Sequence, residues 1–320
     1  MPSRPLSLVI LIFWLSTMSW LVVAKVLPPL RTGEPPNYRT ILPTGEVDEP
    51  VCWTISMNDK MLGWAASMVD RRKDGMAQMN SRVFLSELPI EDIAPGWLGA
   101  VVRPMLNSSG PLDMEAAGRL DIDPLGRLSA FETRMRVARI REALAIRGEI
   151  DGATLKVVVE SGTFSWKSER YLSPQALVGD ALSPQARLPG LWVGQKWWMP
   201  VYSPFRPPRS PIEILEARVE KTEGVRYDGR SIKAHLVVYR PDSGARTGQS
   251  RETRGKLWVA PDGSVIRQEI MLLSSRLQFD RLPKAKGRVL LASLPTDWSQ
   301  QMPRRRAHRL LSRLIEAQAK

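Results

Sequence analysis

The chain contains few of the residues that most often build metal, redox and nucleophilic sites. Among 320 residues there are one cysteine, Cys52, and two histidines, His235 and His308. One cysteine excludes an intrachain disulfide and a cysteine-rich metal site, and two histidines leave little material for a histidine-ligated metal. We therefore expect no metal, no cofactor and no catalytic residue.

Motifs of common catalytic and nucleotide-binding sites are missing as well. The sequence has no G-x-S-x-G elbow for a nucleophilic serine and neither of the glycine-rich loops that hold phosphates. No motif singles out any of its 33 acidic residues, and His235 lies inside a strand-like run, where it would line a sheet face. These absences favour a non-enzymatic protein.

The charge is strongly basic, with 46 Lys and Arg residues against 33 Asp and Glu residues and a net charge of +13. Part of the excess lies in a C-terminal tail with an apolar stripe, which predicts a basic helix, either solvated or lying on a membrane or an anionic partner. We expect an anionic surface or an envelope protein as its partner, and no nucleic acid, because aromatic residues do not accompany the basic ones. The basic residues concerned are Arg304, Arg305, Arg306, Arg309 and Arg313.

Only one long apolar run is present. Residues 6–24 carry no charge and lie between Arg4 and Lys25, so the run is long enough to span a bilayer as a helix. A cleaved signal peptide is the alternative interpretation, and residues 22–24 would serve as its cleavage site. Our prediction is an uncleaved single-pass anchor in the inner membrane, with the bulk of the chain extracytoplasmic, in the periplasm. In such an oxidising compartment the lone Cys52 should be buried.

The remaining chain divides into three parts. Residues 26–50 hold six prolines and no periodicity, which predicts an extended linker following the anchor at 1–25. Residues 51–282 alternate apolar and polar residues with period two, which is typical of half-buried strands. Helical periodicity is weak there, so only short helices or loops fit residues 91–105 and 173–188. Residues 283–320 form the basic tail.

Three Asp-Gly pairs lie between strand-like runs, at Asp151-Gly152, Asp228-Gly229 and Asp262-Gly263. Such pairs favour type I′ turns, which need a positive φ at both central residues and join antiparallel strands. The sequence therefore predicts a mainly β fold with a single curved antiparallel sheet, half-barrel-like, covered by short helices. An N-terminal transmembrane helix and a C-terminal helix complete the predicted architecture.

Residues 190–205 concentrate three tryptophans, a tyrosine and a phenylalanine. In a strand, Trp197 would share one face with Met199, and Trp198 would share the other with Tyr202. Pro200 lacks an N–H group, so this strand should be an edge or carry a bulge. Aromatic rings of this sheet either fill a core or line an apolar ligand site. For the second case the candidate residues are Trp64, Trp166, Trp192, Trp197, Trp198, Tyr202 and Trp258.

Three segments resemble the lipoprotein-carrier half-barrel, the LolA/LolB-like type of secreted bacterial domain. They are WTISMNDKMLGWA at 53–65, LPGLWVGQKWWMPV at 188–201 and GKLWVAPDGSVIRQEI at 255–270. The resemblance implies an incomplete barrel of about eleven strands around helices, binding acyl chains or another apolar molecule. An apparent anchor and a basic tail distinguish this chain from soluble carriers, which favours a tethered role over shuttling.

The function predicted from the sequence is an anchored, extracytoplasmic binding domain for a lipid or another apolar ligand. The alternative is a structural subunit of a cell-envelope complex that docks through the sheet edge and the basic tail.

Overall fold

The computed structural model of the protein describes residues 4–23, 35–42, 49–88, 112–137, 140–173, 176–178, 183–203, 210–242, 252–272 and 275–292. Three helices lie among them: α1 (Arg4–Leu21), α2 (Tyr38–Ile41) and α3 (Lys284–Ala292). The described strands are β1 (Val51–Met57), β2 (Lys60–Arg71), β3 (Ala77–Leu88), β4 (Leu112–Ile122), β5 (Leu128–Val137), β6 (Ile140–Asp151), β7 (Thr154–Ser161), β8 (Phe164–Tyr171), β9 (Leu177–Val178), β10 (Lys196–Tyr202), β11 (Ile212–Tyr227), β12 (Arg230–Pro241), β13 (Gly255–Val259), β14 (Val265–Leu272) and β15 (Ser275–Arg281).

All of these strands belong to one open, curved sheet, which confirms the predicted mainly β fold. Its order is β8-β7-β6-β5-β4-β3-β2-β1-β15-β14-β13-β12-β11-β10-β9, and every pairing is antiparallel except that of β9 with β10. The first strand therefore pairs with the last at the middle of the sheet, with Trp53 opposite Arg281. We call β1–β8 the first arm and β9–β15 the second arm. The described sheet has more strands than the roughly eleven that the resemblance implied.

The curvature brings the two arms together around a shared core. The largest cluster of buried apolar residues takes side chains from both arms, and we call the side on which it lies the concave face. The rings of Phe131 in β5 and Tyr202 in β10 have their centroids 6.1 Å apart, although these strands lie far apart in the sheet order. Gly148 makes room for this contact, because a Cβ there would lie 2.1 Å from the Phe131 ring.

The Asp-Gly prediction is confirmed for strand pairing and only in part for turn type. Each of the three pairs joins neighbouring antiparallel strands. Only Asp228-Gly229 has a positive φ at both residues, as a type I′ turn requires. Asn58 and Asp59, between β1 and β2, also have a positive φ at both residues, so this turn of the first arm is made without glycine.

Part of the stretch expected to be a linker belongs to the folded domain. The helix α2 is stabilised by a capping box in which Thr40 N–H donates to the Asn37 side chain and Asn37 N–H donates to the Thr40 hydroxyl. Tyr38 and Leu42 are buried in the main core, and the Tyr38 hydroxyl accepts a hydrogen bond from Val178 N–H at 2.9 Å.

The short helix α3 packs on the opposite, convex face. Its Leu290 joins a cluster with Cys52, Trp64 and Phe84, and the Cys52 thiol donates to the Gly287 carbonyl at 3.7 Å. The predicted burial of Cys52 is confirmed, since 2% of it is exposed, and burial raises the pKa of its thiol to about 12. This helix continues the domain beyond the predicted boundary at residue 282. The basic tail with its five arginines lies outside the described residues, as does the segment 91–105.

The N-terminal run is helical, with large apolar side chains such as Phe13, Trp14 and Trp20 exposed. Over the part of the chain that the structure describes, no helix combines the length and hydropathy needed to cross a bilayer. The helix is thus observed, while its role as an anchor stays a prediction.

Candidate ligand-binding face

Two buried rings lie side by side on the concave face of the second arm. Trp197 of β10 is opposite Ala217 of β11, and Ala217 is opposite Tyr239 of β12, so the three side chains form one row across the sheet. The rings of Trp197 and Tyr239 meet edge to face, with centroids 6.4 Å apart and planes at 83°. The small Ala217 between them leaves room for this contact, which is a favourable geometry for aromatic rings.

Both rings carry polar atoms that are buried without a partner. Among the residues that the structure describes, neither Trp197 Nε1 nor the Tyr239 hydroxyl has a hydrogen-bond partner, and the same holds for Trp53 Nε1 of β1. Burial raises the pKa of the Tyr239 hydroxyl well above its ordinary value, so it stays protonated and able to donate. The concave face therefore offers three unused donors within apolar surroundings.

A second polar feature of this face is a segment that crosses it between the arms. The Ser183 hydroxyl donates to Ser81 Oγ of β3 at 2.6 Å, and Gln185 N–H donates to Gln268 Oε1 of β14 at 3.0 Å. Arg281 of β15 donates to the Ala186 carbonyl at 3.0 Å and lies over the Trp53 ring, 5.8 Å from its centroid. This segment, where helices or loops were both expected, forms no helix over residues 183–188.

The tilted pair of Tyr202 and Phe131 marks the place where β10 approaches the first arm. Tyr202 is 3% exposed, and burial raises the pKa of its hydroxyl to about 12, against the effect of the Arg170 charge. The prediction that Tyr202 shares a face with Trp198 is wrong, because Tyr202 packs in the main core with Trp197 while Trp198 is exposed. The end of β10 is flanked by both β9 and β11, so alternation between a dry and a wet face breaks down there.

The predicted edge at Pro200 is confirmed. Among the described strands, β9 pairs with β10 only at Val201 and Tyr202, so Pro200 lies where the outer side of β10 has no described neighbour. The missing N–H of Pro200 therefore removes no ladder hydrogen bond on that side.

The seven candidate residues do not meet in one place. Trp197 and Tyr202 are buried in the concave core, and Trp166 of β8 packs partly against it. Trp64 and Trp258 are buried on the convex face in two separate clusters. Trp192 and Trp198 are exposed by 41% and 44%.

Trp258 differs from the concave tryptophans in its polar contacts. Its Nε1 donates to Glu223 Oε1 at 2.6 Å, and the Arg267 guanidinium lies 5.9 Å from the centroid of its ring. These contacts account for its indole N–H without any ligand, so Trp258 is structural in this arrangement.

Sequence reasoning did not select Trp53 and Tyr239 as site residues. Trp53 lies between Cys52 and Thr54, and Tyr239 follows Val237 and Val238, so both resemble ordinary core residues of a strand. No local pattern indicates an unpartnered donor, because that property depends on which strands neighbour one another.

No metal centre emerges from the side chains that the structure describes, where no three His, Cys, Asp or Glu residues cluster. His235 is half-buried, with its Nδ1 3.1 Å from the Thr222 hydroxyl. The expectation that the protein is not an enzyme stays a prediction.

No protein-family model and no curated protein matches this chain. Solved structures with a similar arrangement include a β-barrel-like protein of a domain of unknown function, DUF1849, from Brucella abortus. That match has 9% identity and a TM-score of 0.45, covering 74% of this chain and 96% of the other.

A DUF1089 family protein from Pseudomonas aeruginosa matches with 15% identity and a TM-score of 0.33, covering 67% and 92% of the two chains. The hypothetical lipoprotein YmcC from Escherichia coli matches with 7% identity and a TM-score of 0.25, covering 76% and 91%. None of these structures bears the name of a LolA or LolB carrier, and scores of this size assign the chain to none of these proteins.

Proposed function

We propose that this protein is a membrane-anchored, extracytoplasmic β domain that binds a lipid or another apolar molecule bearing an oxygen acceptor. The proposal rests on one observation, the presence of unpartnered donors at Trp53, Trp197 and Tyr239 within the apolar concave face.

A buried donor without a partner is costly. Leaving one unpaired costs about 1–3 kcal/mol, so proteins rarely keep such groups without a reason. Trp197 and Tyr239 lie in contact, which means that one ester or carboxyl group reaching their row could accept hydrogen bonds from both. The apolar side chains of both arms would then surround the hydrocarbon part of the same molecule.

Anchoring is supported by the N-terminal sequence, since the uncharged run at residues 6–24 is of spanning length. The side chains of α1 expose apolar surface, although α1 itself does not combine the length and hydropathy of a bilayer span. Arg4 at the start of α1 favours a cytoplasmic N-terminus, which would place the sheet outside the cytoplasm.

The test is the amount of apolar ligand bound by the full chain purified in mild detergent. Organic extracts analysed by mass spectrometry should contain a lipid-like molecule in stoichiometric amount. A dansylated fatty acid should bind about tenfold more weakly to a Trp197→Phe/Tyr239→Phe double variant, because two hydrogen bonds are lost while an aromatic ring is kept at each position.

Trp258→Phe is the matched control, since it removes an indole N–H that already has a partner on the convex face. It should leave the affinity for the dansylated fatty acid unchanged. A full chain without any extractable apolar molecule, and with equal probe affinity in all variants, would contradict the proposal.

A further inference from the structure

A group of apolar side chains remains exposed on the convex face at one edge of the sheet. Trp198 of β10 is 44% exposed and Ile214 of β11 is 49% exposed. Pro200 lies directly opposite Ile214, and Trp198 is opposite Glu216, so Trp198 and Ile214 are diagonal neighbours. We call Trp198, Pro200 and Ile214 the edge patch.

The turn that leads into β10 also exposes apolar side chains. Trp192 and Val193 are exposed by 41% and 47%, and the turn is fixed to β11 by a hydrogen bond from Gly194 N–H to the Val219 carbonyl at 2.8 Å. Trp192 and Trp198 are thus both exposed to solvent within seven residues, in a part of the fold that is hydrogen-bonded to β11. Exposed indoles of this kind mark interaction sites more often than isolated aliphatic residues do.

Cations flank the edge patch. Lys196 and Arg218 are directly opposite each other on β10 and β11, one step along the same face from Trp198, and neither has an ion-pair partner among the described residues. Glu216 is the acidic residue between them and the patch.

The neighbouring charges on β12 do not offset this excess. Arg240, opposite Glu216, is paired with Glu220 at 2.8 Å, so these two charges cancel. The surroundings of the patch are basic on balance, with tryptophan at their centre.

Docking of another strand onto this edge is disfavoured by Pro200, because it offers no N–H to a partner strand. The face of β10 and β11, and not their edge, is the surface available for contact. Tryptophan is enriched where proteins meet the headgroup layer of a bilayer, and basic side chains are attracted to anionic lipids.

We propose that the edge patch docks the β domain onto the anionic surface of a lipid bilayer. This inference extends the proposed membrane anchoring by naming the surface of the sheet that faces the membrane, and it is independent of any ligand on the concave face. With the N-terminal anchor in the bilayer and the edge patch on its surface, the protein would hold the β10 edge against the lipid headgroups.

The test places a reporter on the patch of the full chain in lipid nanodiscs. Ile214→Cys introduces a thiol at an exposed position, and native Cys52 is buried with its pKa raised to about 12, so a spin label will react selectively. In discs of phosphatidylcholine with phosphatidylglycerol, the label should collide severalfold less often with a water-soluble nickel chelate than in discs of phosphatidylcholine alone. The control is a label at Ser165→Cys in β8, which is exposed at the other end of the sheet. This label should collide with the nickel chelate equally often in both kinds of disc.

Replacing the flanking cations in the labelled chain, as Lys196→Gln/Arg218→Gln, should reduce the equilibrium constant for docking in anionic discs about fivefold for each charge removed. A label at residue 214 that is equally accessible in both discs would overturn the proposal. Protection that requires a co-purifying protein would overturn it as well, because the patch would then be a protein interface.

Failure of docking by the edge patch can be distinguished from failure of anchoring by the N-terminal helix. If the chain fails to enter nanodiscs, anchoring is contradicted, and the same labelled chain is floated with vesicles of the two compositions. Flotation with the anionic vesicles alone would still support the patch, and flotation with neither would overturn it.

Discussion

The two faces of the sheet are built on different principles. The concave face holds one continuous apolar core that draws on both arms and on Tyr38 and Leu42 from the preceding segment. The convex face holds two smaller clusters, one beneath α3 and one on β11–β14. Between and around these clusters lie ion pairs such as Arg267–Asp280 at 2.6 Å.

The difference shows what each face does for the molecule. The stabilisation of a fold is roughly proportional to the apolar area that it buries. Since the concave face holds the largest buried apolar cluster, this core is what holds the two arms together. The convex face tolerates charge, including charge that is buried. Glu115 of β4 is 6% exposed there, beside the stacked Trp64 and Phe84, with Arg136 as an ion-pair partner at 3.7 Å.

The largest expected effect on stability comes from Gly63→Ala, which changes the spacing of two strands beneath the concave core. A Cβ on this residue would lie 1.8 Å from the Phe84 carbonyl oxygen, so Gly63→Ala must push β2 and β3 apart at the centre of the sheet. The free energy of unfolding should fall by about 3 kcal/mol, as for a severe overpacking change. Urea denaturation followed by circular dichroism measures it.

Gly224→Ala is the matched control for this change. A Cβ at Gly224 on β11 meets only the Ser231 hydroxyl, at 2.9 Å, and that side chain can rotate away. A loss of stability at residue 63 no larger than at residue 224 would show that the spacing of β2 and β3 is not rigid.

Local signals in the sequence were sufficient for the mainly β fold and for three of its hairpins. Period-two alternation predicts β1, and each Asp-Gly pair correctly indicates a hairpin. The turn types were harder, because only one of the three Asp-Gly pairs has a positive φ at both residues, whereas Asn58-Asp59 adopts this pattern without a glycine. Pairing of β1 with β15 is a contact between distant parts of the chain, which no local pattern encodes.

The candidate site was less predictable than the fold. Exposed Trp198 and buried Trp197 are neighbours that alternation separates correctly. Tyr202 departs from alternation because a second strand and the opposite arm cover the end of β10. The importance of Tyr38 was hidden in a proline-rich stretch, since it packs in the main core and contacts Val178, which lies 140 residues away in the chain.

A smaller effect should follow from the buried carboxyl on the convex face. Burial raises the pKa of Glu115 from an ordinary value of 4.5 to about 7, although the charges of Arg136 and Arg82 oppose this shift. Because the folded state then binds a proton more tightly than the unfolded state, stability is highest below pH 4.5 with respect to this group. It falls as the pH rises from about 4.5 to about 7.

Glu115→Gln should remove this fall, which is on the order of 2 kcal/mol once solvent screening of the carboxyl is allowed for. The measurement is the free energy of unfolding of both proteins between pH 4.5 and pH 8, since the difference between their profiles isolates this one carboxyl. Parallel profiles would mean that the convex face solvates Glu115 as well as water does.

The smallest of the three effects compares one tryptophan from each face. Trp258 on the convex face donates to Glu223 at 2.6 Å, whereas Trp197 on the concave face, although more deeply buried, has an Nε1 without a described partner. Replacement by phenylalanine removes similar volume at both positions, so the difference between the two variants reports the hydrogen bond. In protein stripped of bound lipid, Trp258→Phe should cost about 1 kcal/mol more than Trp197→Phe.

Thermal denaturation of both variants, before and after addition of the dansylated fatty acid, tests this ordering. Adding the fatty acid should reduce the difference in stability loss between the two variants. Trp197 then donates to the fatty acid, so Trp197→Phe loses a hydrogen bond as well. A larger loss for Trp197→Phe in the stripped protein would mean that its indole N–H is already satisfied within the fold. In that case the concave face would be an ordinary core, and the exposed edge patch would be the stronger reason to assign this protein a binding role.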